Sequence, residues 1–133
     1  MRISLLFFAL FFLFSIHYFQ DDILLKSMDR GSKLYRKNCV VCHGKNGTGK
    51  GKRIPPLAQS DYLLNNIDKS IRGIKYGLKG EIMVNGVTYD KVMKPSGLTD
   101  PEITDIMNFI LNSWDNTTET LITVETVKKV IKQ

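Results

Sequence analysis

Cys39-Val40-Val41-Cys42-His43 sets two thiols three residues apart and an imidazole directly after them. That is the C-x-x-C-H spacing of covalent c-type haem attachment. The two sulfurs can bond the two vinyl groups of one haem while His43 reaches its iron from the same side. Thioether links hold the cofactor without a large pocket, which suits a short chain. Cys39 and Cys42 are the only cysteines of the 133 residues. A disulfide between them would close too small a loop to constrain the unfolded chain much. A thioredoxin-type pair would lie beside a βαβ pattern, and none is visible. Tetrahedral zinc needs four ligands, and the soft ones here end with Cys39, Cys42 and His43, because His17 lies in an apolar leader.

The next residues, Gly44-Lys-Asn-Gly-Thr-Gly-Lys-Gly51, come within one residue of the phosphate-binding G-x-x-x-x-G-K-[ST] loop. Gly51 stands where a magnesium-binding hydroxyl is required, and no strand precedes Gly44. The stretch reads as a flexible, lysine-bearing loop that leaves the attachment site and returns at Pro55.

A haem iron used for electron transfer takes a sixth ligand, with methionine the expected one. Met1 belongs to the leader, Met28 closely precedes the attachment site, and Met107 lies on an apolar helical stripe that reads as core. Met83 and Met93 remain. Met93 sits in Lys91-Val-Met-Lys-Pro-Ser-Gly97, where Pro95 and Gly97 can hold an extended loop, and position favours it over Met83 beside the Asn85-Gly86 turn.

The elements that must hold these residues read as helices joined by long loops. Asp29 is placed to cap a first helix running into Cys39. Ser60 or Asp61 can cap a short helix, and Ile67, Ile71, Ile74 and Leu78 recur at helical spacing in the next. Asn85-Gly86 suggests a small hairpin. Thr99 and Glu102 form a capping box ahead of Ile103, Ile106, Met107, Ile110, Leu111 and Trp114, the clearest amphipathic helix. A last short helix is expected over 123–131, with Val124, Val127 and Ile131 as its packing face. This is an all-α pattern whose loops are unusually long, so something besides side chains is expected to fill the core. Asn116-Thr-Thr118 fits a glycosylation sequon, a match common by chance.

Residues 1–19 combine Arg2 with an apolar run to Phe19, the pattern of an export signal or an uncleaved membrane anchor. As a helix the run from Ile3 to Phe19 would rise roughly 25 Å, slightly short of a hydrocarbon core. Export agrees with c-type attachment, which takes place outside the cytoplasm. The expected organisation is leader 1–19, linker 20–28, haem domain 29–115, and a linker with a short helix over 116–133. The chain holds 19 Lys and Arg against 13 Asp and Glu, and losing the leader removes only Arg2. Scattered lysines in an exported protein argue against nucleic acid. Lys45, Lys50, Lys52, Arg53, Lys75, Lys79, Lys91 and Lys94 would steer an acidic redox partner if they gather on one face.

Together, L-Y-R-K-N-C-V-V-C-H-G, P-P-L-A-Q-S-D-Y-L, V-N-G-V-T-Y-D-K-V-M-K-P and L-T-D-P-E-I-T-D-I-M-N-F-I resemble class I cytochromes c, most nearly the small mono-haem domains that accompany copper nitrite reductases and terminal oxidases. The resemblance implies three to five helices wrapped around one covalently bound haem c, behind an N-terminal hydrophobic helix. It puts Met93 on the axial ligand and Met83 on a variable position. It gives the Pro55 carbonyl to the second ring nitrogen of His43 and puts Leu57 and Tyr62 against the haem. It packs Phe109 near Tyr35. Lys94 departs from the family pattern, which usually has proline directly after the methionine. The implied function is electron transfer by a His/Met-ligated haem on the periplasmic side of the cytoplasmic membrane, anchored or released, with no catalytic group and no small-molecule substrate. The alternative is an electron-entry subunit of a larger respiratory reductase or oxidase.

Overall fold

The structure, a computed structural model, describes residues 2–118 and 120–132, with side chains described from Gln20 onward. The segment expected as signal or anchor, 1–19, therefore lies outside the residues whose side chains are described. Among the described residues, no helix is long and apolar enough to cross a membrane.

Among the described residues, six helices and one hairpin follow in order: α1 Arg2–Asn38, α2 Val40–His43, α3 Asp61–Asn65, α4 Ile67–Tyr76, β1 Ile82–Val84, β2 Val87–Tyr89, α5 Asp100–Leu111 and α6 Val124–Lys129. The helix count exceeds five because α2 is a four-residue turn separated from α1 only by Cys39. The linker expected over 20–28 is helical, and Asp29 lies inside α1 rather than capping it. The local sequence permits this. No glycine or proline interrupts 20–30, and the pairs Asp22–Lys26 and Asp29–Lys33, each 2.6 Å apart, are spaced i to i+4 along the helix.

α5 carries the capping box, with the Thr99 N–H donating to Glu102 Oε2 at 2.9 Å. Its residues from Ile103 to Asn108 are all buried. α1 crosses α5 at Gly31, where a Cβ would sit 2.0 Å from the Asp105 carbonyl oxygen and 2.8 Å from Phe109 Cβ. A polar node locks the crossing. Ser27 Oγ donates to Asp105 Oδ1 at 2.7 Å, and Arg30 reaches both carboxylate oxygens, at 2.7 and 2.8 Å. Asn108 Nδ2 donates to Ser27 Oγ and to the Ile122 carbonyl, and its Oδ1 accepts the Ile122 N–H. One buried amide thus joins α1, α5 and the run into α6.

The tail is part of the core rather than an appendage. Ile122 and Val127 are fully buried and Val130 nearly so. The expected packing residue Ile131 instead faces solvent, because the chain leaves helical geometry at Val130, whose ψ is 109°. Trp114, expected to end α5, sits beyond it in a turn at φ 56°. Its ring folds back to within 5.0 Å of Tyr35 and 5.4 Å of Phe109, centroid to centroid.

The absence of a side chain at Gly31 is what allows the helices to touch. Gly31→Ala must drive backbone from backbone, so it should lower unfolding stability by about 3 kcal/mol, the upper range for overpacking. Denaturant unfolding of the haem-loaded protein measures this, and a loss below about 0.5 kcal/mol, as for an exposed substitution, would contradict it.

Candidate haem-binding site

The attachment segment continues the line of α1. The Cys39 N–H donates to the Tyr35 carbonyl and the His43 N–H to the Cys39 carbonyl, both at 2.9 Å. Tyr35 is buried, and its hydroxyl donates to the Gly44 carbonyl at 2.6 Å, pinning the end of α2. Burial holds this phenol well above its ordinary pKa, with Cys39 adding to the effect. Cys39 and Cys42 are free thiols, so no disulfide joins them. Burial, and secondarily Cys42, pushes the Cys39 pKa up to about 11.

The glycine-rich stretch is not the flexible loop its composition suggests. Gly47 is buried, and a Cβ there would lie 2.5 Å from Trp114 Cε3. Its carbonyl accepts the N–H groups of Leu57 and Ala58, at 2.7 and 3.0 Å, and the Gly49 N–H reaches the His43 carbonyl at 2.9 Å. The loop is packed against the aromatic cluster and returns to His43. There the ring Nδ1 lies 3.2 Å from the Pro55 carbonyl oxygen. Burial lowers the His43 pKa, partly offset by the Pro55 carbonyl, so the ring is neutral at pH 7. Its Nδ1–H then donates to Pro55 and the lone pair is left on Nε2, the arrangement of a metal-ligating imidazole.

A cleft of about 670 Å³, open to solvent, lies under this turn. Cys39, His43, Pro55, Leu57, Tyr62 and Met93 all border it, and its walls are chiefly apolar. A second cavity of about 560 Å³ shares His43, Pro55, Leu78, Ile82 and Met93 with the first and adds Cys42. One thiol thus faces each space, and the histidine and Met93 face both.

Among methionines with described side chains, Met93 alone borders the cleft. Met83 is 64% exposed on the hairpin, and Met107 is fully buried in the core. Met93 forms a bridge with Leu78, N–H to carbonyl in both directions at 2.9 Å. This holds the methionine segment across the end of α4 even though Lys94 stands before Pro95. The donor set fits a c-type haem: two thiols, a neutral imidazole and a thioether around apolar walls. Among the described residues, no group of three or more His, Cys, Asp or Glu could hold a metal ion, so the zinc alternative has no ligand set there.

Two contributors to the site were not foreseen. Asn116 is 2% exposed; its Oδ1 accepts the Gln59 N–H at 2.6 Å, and its Nδ2 donates to the carbonyls of Leu57 and Ile110. It fastens the Leu57 wall to the end of α5, and an amide so engaged is not open to glycosylation. Asn85, at φ 49° in the hairpin turn, exchanges bonds with Asp61: its N–H donates to Asp61 Oδ1 at 2.7 Å, and its Oδ1 accepts the Asp61 N–H at 3.0 Å. It ties the hairpin to α3, which carries Tyr62. Lys75, expected among the basic residues that could face a partner, is instead turned to an acidic group of its own chain. Its ammonium lies 2.8 Å from Asp100 Oδ1, and its side chain is 16% exposed.

Known proteins agree with this geometry. The cytochrome c family model matches residues 28–114. Cytochrome c-552 of Thermus thermophilus is 34% identical over 109 residues, covering 75% of this chain and 82% of its own. The cytochrome c subunit of the quinone alcohol dehydrogenase of Gluconobacter oxydans is 25% identical over 103 residues, again 75% of this chain. The chain spans only 21% of that subunit's length. This chain belongs to the cytochrome c family: it is an electron-transfer protein that binds covalently attached haem c, in a small helical fold.

Proposed function

We propose that the chain is a mono-haem electron carrier in which Cys39 and Cys42 form the thioether links and His43 and Met93 are the axial ligands. The observation that carries this reading is the shared cleft: His43, oriented by the Pro55 carbonyl, and Met93, held by Leu78, border the same apolar spaces. Bound haem supplies a one-electron ferrous–ferric couple, with no catalytic step. The chain's residues bind and tune it. His43 is kept neutral and correctly turned by Pro55. Met93 offers a soft sulfur that favours the ferrous state, and the Leu57 and Tyr62 walls exclude water, which raises the potential further. With His43 and Met93 both holding the iron, a small-molecule substrate would have no place there.

The carrier exchanges electrons with redox partners. The finer reading is an acidic partner surface meeting the exposed Lys45, Lys50, Lys52, Arg53, Lys79, Lys91 and Lys94, two of which, Arg53 and Lys91, border the second cavity. Residues 1–19 serve as signal or anchor, placing the haem domain on the periplasmic side of the cytoplasmic membrane. The other reading is a haem subunit within a larger complex. It is favoured by the likeness to a subunit of a quinone alcohol dehydrogenase. Isolation from native membranes in a stable complex would select the subunit reading, and recovery as a lone haem protein the carrier.

Intact mass and visible spectra of the membrane and soluble fractions report haem attachment and leader cleavage together. One haem should survive denaturation and acid extraction, and loss of colour under those conditions would contradict the thioether assignment. Cys42→Ala should leave a single thioether, seen as a shifted haem spectrum under alkaline pyridine; an unshifted spectrum would sink that residue's role. Met93→Ala should open the sixth site and lower the midpoint potential by on the order of 0.1–0.3 V, part of the roughly 0.8 V span that axial ligation commands. Redox titration checks this, and an unchanged potential with an unchanged low-spin spectrum would exclude Met93.

A further inference from the structure

The C-terminal end of α4 holds two segments at once. On one side lies the Met93 segment. Besides the Leu78–Met93 bridge, the Ser96 N–H donates to the Ile74 carbonyl at 2.9 Å. At Gly77 the two chains approach so closely that a Cβ would sit 2.8 Å from the Met93 carbonyl oxygen and 3.0 Å from Pro95 Cδ. On the other side lies the C-terminal tail. Arg72, Lys75 and Tyr76 are spaced i, i+3, i+4 along α4 and so share one face. Arg72 Nε donates to the Ile131 carbonyl at 3.1 Å, Lys75 Nζ to the Val127 carbonyl at 3.2 Å, and Tyr76 Oη to the Val130 carbonyl at 3.3 Å. These are carbonyls in the last turn of α6 and beyond it, of which Val127 also accepts the Val130 N–H at 3.2 Å.

Lys75 is the centre of this junction. Its ammonium binds Asp100 Oδ1 at 2.8 Å in the first turn of α5, caps α6 through Val127, and lies 5.6 Å from the Tyr76 ring centre. It is mostly withdrawn from water, with 16% of its side chain exposed against 25% for Asp100, so solvent screens the pair less than a surface pair. The exposed Lys26–Asp22 pair, at 68% and 55%, is the contrast.

We propose that Lys75 is a positioning residue for Met93. It braces the end of α4 against α5 and α6, and the braced end holds the methionine segment closed over the cleft. The tail thereby governs how often Met93 leaves the iron. This rests on Met93 being the axial ligand. The link is local: removing the ammonium leaves the Asp100 carboxylate unpaired and takes from the Val127 carbonyl one of its two donors, the other being the Val130 N–H at 3.2 Å, freeing the turn that carries Gly77 and Leu78. Local opening of such a segment precedes global unfolding.

The test uses the full haem-loaded ferric protein and cyanide as the probe, since cyanide binds only when the sixth position opens. Lys75→Met should raise the cyanide on-rate about tenfold, the change in open population that follows from losing a partly buried brace. It should also weaken the far-red sulfur-to-iron absorption band and lower the potential. Lys75→Arg, which keeps the charge, should restore most of each. Lys26→Met, at an exposed pair far from this junction, should change nothing. If Lys75→Met lowers the melting temperature but leaves on-rate, band and potential at parental values, Lys75 is merely structural and the inference fails. Met93→Ala separates the two levels. If it binds cyanide no faster than the parent, the axial assignment falls and this inference with it. A fast Met93→Ala beside an unaltered Lys75→Met overturns the positioning role alone.

Discussion

The crossing of α1 over α5 at Gly31 is the constraint from which the rest of the molecule is laid out. Backbone meets backbone there, and the Ser27–Arg30–Asp105–Asn108 node fixes both the depth and the rotation of the contact. One turn beyond Gly31 comes Tyr35, which stacks among Phe109 and Trp114; one turn further comes Cys39. A small error in the crossing would swing the attachment turn away from the cleft. The cost of a methyl group at Gly31 is therefore felt at the cofactor as well as in the core.

Around that crossing, the cleft is walled largely by irregular chain, which ordinarily has little to hold it still. Here single side chains bolt each stretch to a regular element. Asn116 secures the Leu57 wall, Asn85 couples the hairpin to α3, and Ser60 Oγ caps α3 by accepting the Leu63 N–H at 3.2 Å. Among the described residues, no buried side-chain nitrogen or oxygen lacks a partner. A fully satisfied polar framework rigidifies a structure, whereas a half-satisfied one weakens it. Rigid walls also serve electron transfer, because fixed surroundings leave little to rearrange when the charge on a bound group changes.

The basic residues divide into two populations. Arg53 and Lys91, at the edge of the second cavity, are exposed to solvent. Lys75 and Arg30 instead spend their charge inward, on Asp100 and Asp105, at the two ends of the α5 first turns. Sequence counting treats these lysines and arginines alike, and only the fold tells them apart.

The sequence by itself determined the chemistry and the local elements. The Cys39, Cys42 and His43 motif is legible because it depends on spacing along a few residues, and the Thr99–Glu102 capping box and the Asn85-Gly86 turn depend on neighbours equally close. Tertiary structure decided what depends on approach across the chain. It ran α1 unbroken through the expected linker, since the Ser27 node rewards helix there with contacts 78 residues away. It turned the glycine stretch from a loose loop into a packed one, since Gly47 is pressed against Trp114. It left Ile131 outside and brought Val130 in, because the last turn of α6 ends before the helical pattern does. And it gathered His43 and Met93 at one cleft across 50 residues of chain. Periodicity and motif spacing record only short-range geometry, so partners set by the packing of distant segments are invisible to them.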